Sequence, residues 1–452
     1  MAVSLLRGNE ATPARSVIAD AEGALGGLGT GGGGGGGKAK AAGLLTSGGT
    51  ESILICVLAY RELGGFRATS LPHYLFASTI SRLLARTLAR SHAQTHKRTN
   101  ARIPHTPRTP RTPARARGIG LLGSSSGPAE IVACNTAHPA IHKACHYFGL
   151  RLVIVAPEAA TQRLTPAQVQ PALTSRTVAV YASAPTFPHG VVDDVTGLGR
   201  LCSRRGLGLH VDNCLGGVWL SFENKNRARR VRRARGVGGS TARATPRGKG
   251  RGKGRGAVTS SAAAATATGK NAAPIPFDFS VPGVSSMSMD VHKYGMASKG
   301  VSVAVLAPPA LRALSFVPVI GKEVYITPTL QGSRGGGMAA QAWATLQFFG
   351  EEGYSREAAS LSRALRLAEA GVNKIPGLRT LVSPDVCIVP VGAAVEGETR
   401  TRVDIFVLSS LMEKRGWNLF TSADPDCLAM CLGQQHAARG AALIKTWLRD
   451  LE

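Results

Sequence analysis

Aromatic residues make up only 5% of this 452-residue sequence, and acids are outnumbered two to one by bases, 27 Asp and Glu against 54 Lys and Arg. No apolar run reaches the roughly 20 residues that would cross a bilayer as a helix. The amino terminus carries no clear secretory pattern either. The eight cysteines form no CxxC pair and stand at no Cys/His zinc spacing, so neither a redox dithiol nor a zinc module is expected, and no metal is called for. Several of them lie inside apolar runs, where a buried free thiol in a reducing compartment is the plain expectation. The net charge of +27 is the feature that invites a nucleic-acid reading. It is not spread over the chain. Residues 81–118 hold ten bases and no acid, and residues 223–270 hold fourteen bases and one acid, Glu223, which leaves only +4 for the rest. Basic Gly-rich segments can bind RNA through charge. These lack the interleaved aromatics that would stack on bases, so no specific nucleic-acid partner is expected.

What is present is organised in blocks. Residues 1–42 contain an unbroken glycine run, Gly31 to Gly37, and read as a disordered, linker-like start. Order is expected from Gly43, with a buried helix over 51–62. Periodicity is lost over 63–127, which fills with Arg, Thr and Pro, and again over 223–274, rich in Arg-Gly, Lys-Gly and Ala. Both read as disordered basic insertions. Between them, short apolar runs at 131–134, 151–155, 177–181, 207–211 and 301–306 alternate with helical stretches such as 139–148 and 195–205. That alternation predicts a mainly parallel sheet with helices on both faces. The expected organisation is a large domain over 43–350 and a small C-terminal α+β domain over 351–452, with strands near 387–391 and 403–408.

In open α/β sheets, ligands sit beyond the carboxyl ends of the strands. His138 follows the first of these runs, Asp212 follows 207–211, and His292 and Lys293 follow the run 284–291. One acid, one lysine and two histidines thus converge on one sheet edge. Lys293, among apolar and aromatic neighbours, is expected to lose solvation and to have a lowered pKa, which would make it an imine-forming amine; an isolated lysine there would more often be a surface residue. Asp212 suits a carboxylate opposite a pyridine nitrogen or, equally, a helix cap. His138 could stack on a ring or simply start a helix. The stretch 46–52, TSGGTES, precedes a helix. Its glycines and free N–H groups form a candidate phosphate cradle with Thr50 and Ser52, although an ordinary Gly-Ser helix start is the commoner case.

These motifs occur together and in order. They are 46–61 (TSGGTESILICVLAYR), 137–155 (AHPAIHKACHYFGLRLVIV), 186–193 (TFPHGVVD), 210–217 (HVDNCLGG), 277–300 (FDFSVPGVSSMSMDVHKYGMASKG), 327–343 (TPTLQGSRGGGMAAQAW) and 416–419 (GWNL). In this the chain resembles the group II pyridoxal-phosphate decarboxylase family, on its sphingoid-phosphate-cleaving branch. The resemblance implies the fold type I, aspartate-aminotransferase-like PLP-dependent transferase fold and pyridoxal 5'-phosphate as cofactor. It implies that Lys293 is the Schiff-base lysine, Asp212 the pyridinium partner and His138 the ring-stacking histidine. Gly49, Thr50 and His292 would contact the cofactor phosphate, Ser333 would offer a phosphate contact to a neighbouring subunit in a homodimer, and Lys299 would hold the substrate phosphate.

The implied reaction is a carbon–carbon lyase step, cleaving a sphingoid-base 1-phosphate to a long-chain aldehyde and phosphoethanolamine by retro-aldol chemistry. An endoplasmic reticulum setting facing the cytosol comes with it, although the chain by itself reads as soluble and cytosolic. The family's upstream histidine and tyrosine for the substrate phosphate have no counterpart in 1–42, so cofactor binding is expected to exceed turnover. Two enzyme-fold alternatives stand beside this reading: an amino-acid decarboxylase, which a carboxylate-binding arginine would favour, and a truncated inactive relative.

Overall fold

The computed structural model describes residues 41–68, 127–234, 273–316, 319–320, 324–394 and 403–452. The first 40 residues and most of the two basic segments lie outside the described residues.

Seven strands form the large sheet: β1 (Ala42–Thr46), β2 (Glu130–Cys134), β3 (Arg151–Val155), β4 (Thr177–Ser183), β5 (Gly208–Asp212), β6 (Ser286–Asp290) and β7 (Ser302–Leu306). Their order is β1-β7-β6-β5-β4-β2-β3. The ladders from β3 to β6 are all parallel, and β7 runs antiparallel to both of its neighbours. β2, β4, β5, β6 and β7 are buried along their whole length. Strands covered on both faces should read as near-continuous runs of Val, Ala and Ile, and β4, TVAVYAS, does.

Helices close the crossovers. α1 (Gly49–Ala68) is buried on every side from Glu51 to Tyr60, which is why it carries no amphipathic pattern. α2 (Ala140–Phe148) and α3 (Val195–Arg205) each stop at a glycine in the left-handed region, Gly149 (φ 65°) and Gly206 (φ 63°), whose N–H closes the last turn. α4 (Gly217–Ala234) runs into the segment read from composition as an insertion. Glu223, Asn224 and Arg227 are buried in it, and Arg227 and Arg230 both pair with Glu223. Its basic run is therefore partly a packed helix rather than a disordered one. α1 likewise continues to Ala68, beyond the expected end near residue 62.

The long α5 (Gly337–Val372) follows the strands of the large sheet in sequence and is broken at Gly350 (φ 57°, ψ −175°). The second sheet is antiparallel, with order β8-β9-β11-β10, from β8 (Leu378–Thr380), β9 (Ile388–Ala393), β10 (Phe420–Ser422) and β11 (Cys427–Cys431). The expected strand at 403–408 is instead the start of α6 (Ile405–Lys414). Its β-branched and aromatic content suggested a strand, but Asp404 accepts hydrogen bonds from the N–H groups of Phe406 and Val407 and nucleates a helix there. All eight cysteines are free thiols, seven of them buried.

Candidate active site

Beyond the carboxyl ends of the parallel strands lies a cavity of about 310 Å³, at the lower end of the range for small-molecule sites. It is lined by Ser47, Gly48, Gly49 and Thr50 from the start of α1, His138 after β2, Cys214 after β5, and Asp290, His292, Lys293, Lys299 and Gly300 from the β6–β7 connection. Sequence-distant segments thus meet where an open sheet predicts a ligand.

The glycine-rich turn is held from behind. The Ser47 N–H and hydroxyl donate to Glu51 Oε2 at 2.7 and 2.8 Å, and Thr46 Oγ1 lies 2.6 Å from Ser52 Oγ. A side chain at Gly49 would bring its Cβ within 2.6 Å of Cys214 Sγ and 2.8 Å of Asp290 Oδ1. Only glycine lets this backbone lie against those two groups, and it places the first turn of α1 at the cavity wall.

Lys293 is not the free amine that its neighbours in sequence suggest. Burial acts to lower its pKa, but Asp290 outweighs burial: Nζ lies 2.9 Å from Asp290 Oδ2, and Cys214 and Asp212 add to the same effect, so the net direction is upward. The expected lowering is corrected on this point. A carboxylate three residues earlier in the turn holds the ammonium at the cavity wall. Asp290 also accepts from Ser302 Oγ at 2.5 Å. His292 donates from Nδ1 to the Val301 carbonyl at 2.9 Å, which leaves Nε2 toward the cavity, 3.6 Å from Asp290 Oδ2.

Asp212 stands behind the lining, 7% exposed. Burial raises its pKa, and hydrogen bonds more than offset this, so it stays below the usual carboxylate range. The Cys214 N–H and Ser288 hydroxyl reach Oδ1, each at 2.9 Å, and the Tyr181 hydroxyl donates to Oδ2. His138 accepts the Ala140 N–H at Nδ1 (3.1 Å), which fixes its ring at the head of α2 with its remaining surface exposed.

Of the sequence-predicted residues, Gly49, Thr50, His138, His292, Lys293 and Lys299 therefore share one cavity, and Asp212 sits close enough to act on Lys293. Ser333 does not join them. It lies on an exposed stretch before α5. Sequence reasoning missed Asp290, Cys214, Tyr181 and Ser288. Three of the four stand inside quoted motifs. Ser286, Ser288 and Asp290 alternate with methionines, which puts three polar groups on one face of a buried strand, and that was the signal to read.

A mainly parallel sheet with one reversed strand, a glycine-rich helix start and a lysine in the turn after β6 define the fold of the pyridoxal-phosphate-dependent decarboxylases and lyases. Solved structures agree. The chain superposes over its whole length on a sphingosine-1-phosphate lyase from Burkholderia pseudomallei K96243, with a TM-score of 0.65, 25% identity and 74% of that chain covered. A Lactobacillus brevis glutamate decarboxylase shares the fold at TM-score 0.60 and 15% identity, with 100% of this chain and 83% of that one covered. In sequence, the sphingosine-1-phosphate lyase of Arabidopsis thaliana is 32% identical over 324 residues, which is 71% of this chain and 49% of the relative. No family model matches. In sequence the chain is similar to the sphingosine-1-phosphate lyases, and its fold is that of the pyridoxal-phosphate-dependent decarboxylases and lyases. It spans about half the length of the curated relatives it matches.

Proposed function

We propose that this chain binds pyridoxal 5'-phosphate and cleaves a carbon–carbon bond in a phosphorylated sphingoid base, releasing a long-chain aldehyde and phosphoethanolamine. The observation that carries the proposal is the cavity that joins Gly49, His138, His292, Lys293 and Lys299, with an ionised Asp212 behind it.

The residues suit the cofactor. The Gly49 backbone is in a place that a Cβ would block, and Thr50 and the amides of the helix start offer donors to a phosphate. Lys293 is the covalent attachment point, held at the wall by Asp290. Asp212 is a buried anion with a fixed orientation, suited to keep a ring nitrogen protonated. The His138 ring borders the same space. When bound, pyridoxal phosphate supplies covalent attachment of the substrate amine and a sink for an electron pair.

The chain's own task is to orient and to neutralise. Lys299, six residues after Lys293 and on the same cavity wall, supplies a cation for a second phosphate, as a phosphorylated substrate requires. The stretch from Ile326 to Phe348 supports a homodimer, because it carries Ser333 and exposes Leu330, Trp343 and Phe348. The resemblance further supports an endoplasmic reticulum setting with the site facing the cytosol. Among the described residues no helix is long and apolar enough to cross a membrane.

Reaction with pyridoxal phosphate should give the purified chain a visible absorbance band, and borohydride should then fix the label on Lys293. Lys293→Ala should lose both signals. Label on another lysine would overturn the assignment.

A further inference from the structure

One face of the large sheet, covered by α1, carries a row of polar side chains that leads to Asp212 and that the reaction as described does not otherwise use. Parallel registers set Tyr181 beside His210 and His210 beside Ser286; two residues on, they set Ser183 beside Asp212 and Asp212 beside Ser288. Tyr60 of α1 reaches the row because β5 begins with Gly208, where any Cβ would strike the Tyr60 ring at 2.2 Å. Tyr60, Tyr181, His210, Ser286 and Ser288 are all 2% exposed or less. Polar groups so buried must be paired, and here they pair with one another.

The direction of each hydrogen bond follows from the one before. Asp212 is ionised and can only accept, so the Ser288 hydroxyl gives it its proton at 2.9 Å. The Ser288 oxygen is then an acceptor, and His210 Nε2, 3.3 Å away, must carry a hydrogen. Burial pushes the imidazole down to about 4, so the ring holds a single proton at neutral pH and Nδ1 is bare. Ser286 therefore donates to Nδ1 at 2.8 Å. With the Ser286 proton committed, Tyr60 is the donor in their 2.7 Å contact. With the Tyr60 proton committed, Ser285 is the donor at 2.8 Å, in preference to its longer 3.2 Å contact with the Leu209 carbonyl, and its own oxygen accepts the Leu209 N–H at 2.9 Å.

We propose that His210, as its neutral Nε2–H tautomer, is a positioning residue at the centre of a one-way donor chain, Leu209 N–H to Ser285 to Tyr60 to Ser286 to His210 to Ser288, that ends on Asp212 and fixes that carboxylate as an anion aimed at the cavity. Chains of this kind polarise link by link, so the last donor is stronger than an isolated serine. Tyr181, its ring 5.1 Å from that of His210, closes the other oxygen of Asp212. The tautomer rests on these hydrogen bonds and on the burial that keeps the His210 ring singly protonated. Its consequence for cofactor affinity rests on the cofactor reading above.

Histidine-selective nitrogen-15 NMR of the full chain without cofactor reads the ring directly, with His210→Gln assigning the signal. The expected spectrum has a protonated Nε2 and a bare Nδ1, unchanged between about pH 5.5 and pH 8. A protonated Nδ1, or an imidazolium in that range, would overturn the proposal. Fluorescence titration with pyridoxal phosphate then measures the consequence. His210→Phe should weaken binding about tenfold or more, while His210→Gln, whose amide can still donate to Ser288, should lose clearly less. Urea midpoints of the cofactor-free proteins check that all are folded, and Ser288→Ala, which keeps the ring, should match the His210→Phe loss. Equal affinity in wild type, His210→Phe and Ser288→Ala would refute the positioning role. A wild-type chain that takes up no pyridoxal phosphate would sink the cofactor reading, and the NMR result would still decide the tautomer.

Discussion

His189 is 1% exposed, and neither of its ring nitrogens has a hydrogen-bond partner. Burial pushes its pKa down to about 4, as it does for His210. Both rings are neutral in the folded chain and bind protons near their ordinary value once unfolded. Where the unfolded state binds more protons, stability rises with pH. The contribution of each ring is therefore complete above about pH 6.5 and is lost as pH falls toward 4, by about 3 kcal/mol for each histidine at the lower end. Asp193 works in the opposite sense: burial raises it to about 7 despite the Leu164 and Ser183 N–H groups it accepts, so it favours folding as pH falls through that value. The total slope mixes these terms, but a substitution isolates one of them. Urea unfolding of His189→Phe should lose less stability than wild type between pH 7 and 4, and parallel curves would show that His189 is protonated in the fold. The residues of the site differ in how legible they were in the sequence. His138, Asp212 and Lys293 could be named because each follows the end of an apolar run. Asp290 could not be matched to Lys293, because their pairing depends on how the turn after β6 closes.

At the scale of elements, the parallel strands were readable because burial on both faces leaves continuous apolar runs. The edge strand β1, AGLLT, was not, and neither were the three-residue strands β8 and β10, whose existence depends on their partners. The misread element is α6. Its first residues, Ile405, Phe406 and Val407, favour a strand by type, and Asp404 decides against it by accepting two backbone N–H groups, at 2.9 and 3.0 Å. Asp404→Ala should therefore cost about 1 kcal/mol of stability, as the loss of an N-cap does, and Asp404→Ser should recover most of it. Chemical denaturation checks this, and an unchanged midpoint for Asp404→Ala would mean that tertiary packing alone holds the helix. The turn that carries Lys293 is tied to its surroundings in a similar way. Tyr294 donates to the Leu432 carbonyl just past β11, and Tyr354 of α5 donates to Gly295 at 2.7 Å, so the backbone on the far side of Lys293 is anchored to the second sheet and to the long helix.

For the whole molecule, α5 carries the two large apolar side chains left most open to solvent among the described residues. Trp343 is 67% exposed and Phe348 85%, and Leu330 in the same stretch of sequence is 47% exposed. Large apolar groups gathered in one region mark an interaction surface more often than isolated ones do. The region also adjoins the cavity: a Cβ on Gly300, which lines it, would meet Met338 Cε of α5 at 2.9 Å. Ser333 lies in this same stretch and outside the cavity of its own chain. A second copy laid over this surface would bury the aromatics of both chains and bring each Ser333 toward the partner's site. Burying a Trp and a Phe contributes several kcal/mol per chain, at about 25 cal/mol per Å² of apolar area, enough for two charged substitutions to disrupt the contact. Light scattering of the wild-type chain at micromolar concentration should give a dimer. The double variant Trp343→Asp, Phe348→Asp should be monomeric, folded by circular dichroism, and at least about tenfold weaker in holding pyridoxal phosphate, if a phosphate contact crosses between subunits. Ser333→Ala should weaken cofactor binding while leaving the dimer intact. A double variant that is monomeric and binds the cofactor as tightly as wild type would show that each site is complete within one chain.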